Sequence, residues 1–373
     1  MPTTIDPSLF EDRHHSPSLS TVARSLQLTT GQLLDFCIPV NPYFPPPELI
    51  ARLREHLDEA LRFYPSYNQR LTPLLAEIVG LPAERLVLGN GSTELITWIN
   101  RLFVADSLVI PVPTFSRWTA DPLASGKRVH TLLRPEHADF NLDPAGFAAF
   151  VAHCGARVAV LCNPNNPTGA LMPVGQVREL LERLAHLDLV VIDESFIDFA
   201  SAEPPPSVAA EVHHHPNALV LKSLGKNFGL HGLRLGYAVG HPERIRPLAE
   251  ALPFWNVNGV AERMLLELPS FLLHYELSRR LVVRDRIALE QRLQRLPGLH
   301  VYPSRANFLY VRLEAGSGFS GPELRDRLLS DAGILVRECG NKEGSSSNHF
   351  RIAVRPEAEA ERLESALRHL LAG

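Results

Sequence analysis

The chain has 373 residues, 45% hydrophobic and 21% charged, with a net charge of -4 at pH 7. That composition suits a globular chain long enough for one large domain and a smaller one, and charges spread without blocks argue against nucleic-acid or membrane-surface partners. No apolar run approaches the roughly 20 residues that span a bilayer, and Met1-Pro2-Thr3-Thr4-Ile5-Asp6 lacks the basic-then-apolar pattern of a secretory signal.

Residues 1–40 start polar and irregular and read as an N-terminal arm that packs on a neighbour. Residues 41–255 then alternate short apolar runs with amphipathic stretches. Leu86-Val87-Leu88, Leu108-Val109-Ile110, Val158-Ala159-Val160-Leu161-Cys162, Leu189-Val190-Val191-Ile192 and Leu219-Val220-Leu221 predict buried strands of a parallel sheet. Between them lie helical patterns such as 177–186, apolar at Val177, Leu180, Leu181 and Leu184. This alternation predicts an α/β large domain with ligand groups at the carboxyl ends of the strands.

Those strand ends carry chemistry. Gly89-Asn90-Gly91-Ser92-Thr93-Glu94 opens the helical run 95–103, a glycine turn whose backbone N–H groups can face an anion; Ser92 and Thr93 also fit as simple caps. Pro111-Val112-Pro113-Thr114-Phe115 ends on an aromatic that can stack on a flat ring. Asn163-Pro164-Asn165-Asn166-Pro167-Thr168-Gly169 is a rigid turn able to aim an amide N–H. Asp193 closes an apolar strand, where a carboxylate is costly unless paired; a helix cap is its plainer reading, and Asp198 reads as structural.

The run from Ser223 through Lys226 to Arg234 follows another apolar strand. A lysine there can form a Schiff base with an aldehyde, while Ser223 and Arg234 suit a phosphate. Aldehyde and phosphate on one molecule point to pyridoxal 5'-phosphate, with Asp193 facing its protonated ring nitrogen.

Beyond 255 the texture changes. Residues 256–373 read as a smaller α+β domain, with helical 262–296 as the link, strands at 307–312 and 350–354, helices at 322–329 and 358–371, and a flexible loop at 340–348. Cys37, Cys154, Cys162 and Cys339 are too dispersed for a disulfide framework or zinc site, so a reducing, cytoplasmic setting is expected. His213-His214-His215 reads as a solvated loop, and no metal is expected.

Across nearly its whole length the chain resembles the class I/II aminotransferases of fold type I. The branch of histidinol-phosphate aminotransferases and threonine-phosphate decarboxylases is echoed in Asp193-Glu194-Ser195-Phe196-Ile197-Asp198-Phe199, Ala306-Asn307-Phe308-Leu309, Ile334-Leu335-Val336-Arg337 and Phe350-Arg351-Ile352-Ala353-Val354-Arg355. The resemblance implies that Lys226 carries the cofactor, Asp193 pairs with the pyridine nitrogen, Asn166 donates to the ring oxygen and Phe115 stacks on the ring. Gly91, Ser92, Thr93, Ser223 and Arg234 would hold the phosphate. Tyr64 would reach that phosphate from the partner of a homodimer. On the substrate side it implies Arg351 for a carboxylate, Arg337 for a second anion and Asn41 at the mouth.

Three departures stand out. Phe196 occupies a position where the aminotransferase branch has tyrosine, in agreement with the decarboxylases. Yet His14-His15-Ser16-Pro17 and Pro39-Val40-Asn41-Pro42 replace the stretches those decarboxylases use for a phosphorylated substrate. The expected function is transamination between a small amino acid or amino alcohol, phosphorylated or not, and a 2-oxo acid. Decarboxylation is the alternative, and a non-catalytic aminotransferase-like module a third. Freed Lys226 would be the general base near the substrate α-carbon.

Overall fold

Runs of β-branched residues with no polar face need cover on both sides. In the computed structural model, which describes residues 5, 7–10 and 16–371, they receive it from helices on either side of a sheet. His14 and His15 lie outside the described residues.

In chain order the strands are β1 (Leu34–Asp35), β2 (Leu86–Asn90), β3 (Ser107–Val112), β4 (Arg128–Leu133), β5 (Val158–Cys162), β6 (Leu189–Asp193), β7 (Ala218–Ser223), β8 (Leu235–Gly240), β9 (Leu299–Tyr302), β10 (Phe308–Leu313), β11 (Ile334–Leu335), β12 (Arg337–Glu338) and β13 (His349–Ala353). The large sheet runs β2-β8-β7-β6-β5-β3-β4. Its strands are parallel except β8, which is antiparallel to both β2 and β7. The 86–88 strand therefore joins the sheet through an antiparallel neighbour. The cause is local: the stretch between Ser223 and Leu235 is too short for a parallel crossover, so the chain turns back beside β7. β4 escapes the pattern of apolar runs because it is a half-exposed edge with polar Arg128, His130 and Thr131. β8 escapes it because glycine interrupts it. Gly236 is required there, since a Cβ would lie 2.4 Å from the backbone nitrogen of Ser92.

A smaller antiparallel sheet, β12-β13-β10-β9, forms the C-terminal unit. Pro269 breaks the helical stretch expected at 262–296, which becomes Gly259–Glu267, a short 3-10 turn and Leu272–Leu293. Part of the N-terminal arm belongs to this unit. β1 pairs with β11, and Val22, Leu26, Leu33 and Cys37 bury against Leu329 and Leu335. This part of the arm packs on its own chain, because its spaced apolar residues have a ready face there. The 340–348 loop is likewise tied down rather than free. Lys342 Nζ donates to the Thr114 carbonyl at 2.9 Å, and Tyr310 meets Ser345 at 2.6 Å.

Candidate active site

The carboxyl ends of β5, β6 and β7 open onto a cavity of about 480 Å³, a size that suits a small organic cofactor with substrate. Lys226, Asp193, Asn166, Phe115, Ser92, Thr93, Ser223 and Arg234 all line it, although they come from widely separated stretches of the chain.

Asp193 sits at its floor, 4% exposed. Its Oδ1 accepts from the Ser195 hydroxyl at 2.6 Å and the Ser195 N–H at 3.1 Å, and its Oδ2 from Trp118 Nε1 at 2.8 Å. Burial pushes its pKa up, and the hydrogen bonds from Ser195 and Trp118 oppose that. A buried carboxylate facing a cavity is completed by a cation, which a protonated pyridine nitrogen supplies.

Lys226 lies in the short helix Leu224–Asn227 that follows β7. Its Nζ stands 4.9 Å from the centre of the Phe196 ring. Burial first, then the charges of Arg351 and Arg234, lower its pKa to about 8, while Asp193 pulls the other way. A lysine held near neutrality offers an unprotonated amine for attack on an aldehyde.

An anion cradle stands beside it. The helix Gly91–Phe103 starts directly at the end of β2, and its free N–H groups and dipole favour negative charge. Gly91 has φ 77°, and a Cβ there would lie 2.5 Å from Arg234 Nη2. Arg234 itself holds a left-handed φ of 57°, unusual for a side-chain-bearing residue, and its Nη2 donates to Thr93 Oγ1 at 2.9 Å. Lys226, Asp193 and this cradle fit the aldehyde, the ring nitrogen and the phosphate of pyridoxal 5'-phosphate.

The substrate-side residues are placed less uniformly. Arg351 is buried, donating from Nη1 to Asn166 Oδ1 at 2.8 Å and from Nη2 to the Cys37 carbonyl at 2.8 Å. Since Asn166 accepts through Oδ1, its amide nitrogen is the group left to donate into the cavity. Arg337 stands opposite Arg351 on the neighbouring strand and donates to Asn341 Oδ1 at 2.9 Å. Asn41 does not line the cavity. Its amide donates to the Asn227 carbonyl and to Ser278 Oγ and accepts from the Tyr43 N–H, so the side chain is spent on pinning 41–43 beside the lysine helix. Tyr64 is also remote from the cavity within one chain; it is 81% exposed and stacks on Trp255 at 4.6 Å.

Sequence reading missed several neighbours. Trp118 was within reach of it: three residues after Phe115 at the start of a helix, it shares that side of the turn. Arg117 and His231 also line the cavity. Lys342 had no local signal, because its partners are more than 200 positions away. Asp198 accepts from Tyr275 and Asn227 and stands 3.4 Å from buried Lys222, a structural role.

The sequence profile of the family described as aminotransferase class I and II matches residues 31–370. The chain is 37% identical over 341 residues to CMP-5'-(3-aminopropyl)phosphonate synthase of Streptomyces rubellomurinus, covering 91% of this chain and 53% of that protein. It thus spans about half the length of that relative. It is 31% identical to L-serine phosphate decarboxylase of Sulfurospirillum multivorans, over 96% of this chain and 93% of the other. A solved decarboxylase structure from Sulfurospirillum multivorans superposes with a TM-score of 0.88 at 30% identity, covering 98% and 94% of the two chains. Histidinol-phosphate aminotransferases also stand among the relatives. With the lysine, the carboxylate and the phosphate cradle in one cavity, the chain belongs to the class I and II aminotransferase family, whose cofactor is pyridoxal 5'-phosphate.

Proposed function

We propose that this chain decarboxylates a small amino acid that carries a second anionic group, a phosphate or phosphonate. The observation that carries the reading is a pair of buried guanidinium groups, with the buried amine of Lys342 in the same unit. Arg337, Arg351 and Lys342 are 6%, 7% and 8% exposed. Among the described residues their hydrogen-bond partners are neutral: Asn341, Asn166, the Cys37 and Thr114 carbonyls and the Ser116 hydroxyl. A buried unpaired charge costs several kcal/mol. A substrate with one carboxylate and one phosphate, roughly -2.5 to -3 in charge, would offset that cost.

The near-full-length likeness to a serine phosphate decarboxylase supports the same substrate class. Phe196, with no hydroxyl to offer beside Lys226, supports decarboxylation over the transamination expected from sequence. In this reading Asp193 pairs with the pyridine nitrogen, Asn166 donates to the ring oxygen, Phe115 stacks on the ring, and Ser92, Thr93, Ser223 and Arg234 hold the phosphate. The bound cofactor supplies an electron sink. Arg351 takes the carboxylate and Arg337 the second anion. When the Cα–carboxylate bond breaks and carbon dioxide leaves, Lys226 delivers a proton to Cα. The working unit is a homodimer in which exposed Tyr64 reaches the partner's cofactor phosphate.

The test is incubation with O-phospho-L-serine or O-phospho-L-threonine, with and without 2-oxoglutarate. Carbon dioxide should appear in both, without glutamate. Glutamate with no carbon dioxide would establish transamination instead. Equal turnover of unphosphorylated serine would remove the anion argument. Tyr64→Phe should weaken cofactor retention without splitting the dimer in sedimentation.

A further inference from the structure

We infer that Lys342 is a positioning residue: reaching across from the C-terminal unit, it clamps both neighbours of Phe115 and so holds one wall of the cavity in place. Its Nζ donates to the Thr114 carbonyl at 2.9 Å and to Ser116 Oγ at 3.0 Å, one contact on each side of Phe115. Two further ties on this loop come from inside the large domain. Asn165 Nδ2 donates to the Pro113 carbonyl at 3.0 Å, and Thr114 Oγ1 donates to Cys162 Sγ at 3.3 Å. Lys342 thus adds a fastening that depends on the C-terminal unit being seated.

Its own backbone is braced for this. The Lys342 N–H donates to the Cys339 carbonyl at 3.0 Å, and the Ser345 N–H donates to the Lys342 carbonyl at 3.0 Å. The loop that carries it joins β12, with Arg337, to β13, with Arg351. One short segment therefore links the strands bearing Arg337 and Arg351 to the wall bearing Phe115. A lysine suits the span because its long stem crosses the gap and its ammonium offers three donors to two acceptors. Methionine would match the stem and offer none.

The inference rests on the proposed placing of Phe115 against the cofactor ring, but its test needs neither substrate nor turnover. Hydrogen exchange is followed at the amides of 114–118 in cofactor-free protein, and affinity for pyridoxal 5'-phosphate is measured by fluorescence titration. Lys342→Met should speed exchange at 114–118 about tenfold and weaken cofactor binding by a similar factor, the size expected for losing two hydrogen bonds. Lys342→Arg should restore most of both. Ser116→Ala, which leaves the lysine in place, should give a smaller change in the same direction and decides the matter if Lys342→Met does not fold. Unchanged exchange and cofactor affinity in these variants, with only KM for a phosphorylated substrate raised, would make Lys342 a substrate ligand and overturn the inference. A failure of the decarboxylase reading would show instead in the products formed, with the exchange result intact.

Discussion

Arg337 and Arg351 stand directly opposite each other in the antiparallel β12–β13 pair, both buried and, among the described residues, neither in a salt bridge with a carboxylate. Like charges at such positions destabilise a sheet. The arrangement makes sense where anions are to be gripped. Arg351→Met should cost about 2–5 kcal/mol in kcat/KM, the usual loss when one side of a buried charge pair is truncated. Arg337→Gln should raise KM for a phosphorylated substrate and leave its unphosphorylated analogue near the wild-type value. Steady-state kinetics on such substrate pairs measures both; equal effects of Arg337→Gln on the two analogues would rule out a phosphate role.

The depressed pKa of Lys226 predicts how the cofactor-free enzyme takes up its aldehyde. Burial and the charges of Arg351 and Arg234 lower the value to about 8, with Asp193 opposing them and His231 also nearby. Below that pH the amine is protonated and cannot attack; above it the amine is neutral. The rate of visible-absorbance growth on adding pyridoxal 5'-phosphate should therefore rise with pH through about 8. Arg351→Met removes one cause of the lowering and should move the midpoint up. A midpoint near the unperturbed lysine value of 10.5 in the native protein would contradict this.

The same depression affects stability. An amine whose folded pKa lies below its unfolded one leaves the unfolded chain holding more protons between the two values, so stability rises with pH there. For Lys342, lowered to about 7 chiefly by burial, that window runs from about 7 to 10.5. Thermal unfolding of the native protein should gain stability across it, and Lys342→Met should flatten part of the slope. A slope unchanged by Lys342→Met would show that this amine does not titrate in the window.

Trp118 and Asp193 offer a graded test of the cavity floor. Trp118→Phe removes one of the hydrogen bonds to the buried carboxylate, about 1.5–3 kcal/mol for a charged acceptor. Cofactor affinity should fall by roughly tenfold or more. Asp193→Asn, which removes the charge itself, should do worse. Titration of the cofactor-free protein orders the two, and a larger loss for Trp118→Phe than for Asp193→Asn would contradict the assignment.

Gly91→Ala should damage the phosphate cradle. The left-handed conformation costs a side-chain-bearing residue about 1–2 kcal/mol. The new Cβ would also press on Arg234 Nη2 and displace it from Thr93. A lower Tm together with weaker binding of pyridoxal 5'-phosphate, but little change for phosphate-free pyridoxal, is the expected pattern.

By itself the sequence determined the buried strands, the motifs at their carboxyl ends and the cofactor those motifs suit. These features are local: an apolar run, a glycine turn or an acid closing a strand is decided within a few residues. That Lys226, Asp193 and Asn166 gather at the cavity was legible because each closes or soon follows a strand, and Arg234 because it lies in the run that opens at Ser223 and Lys226. Only the tertiary structure decided that Asn41 braces the lysine helix, that β8 reverses beside β7, and that Lys342 ties the C-terminal unit to the Phe115 loop. Each depends on residues far apart in the chain meeting in space, which no local periodicity encodes. The burial of Arg337, Arg351 and Lys342 belongs to the same class, since it is a property of the packed interior rather than of any motif.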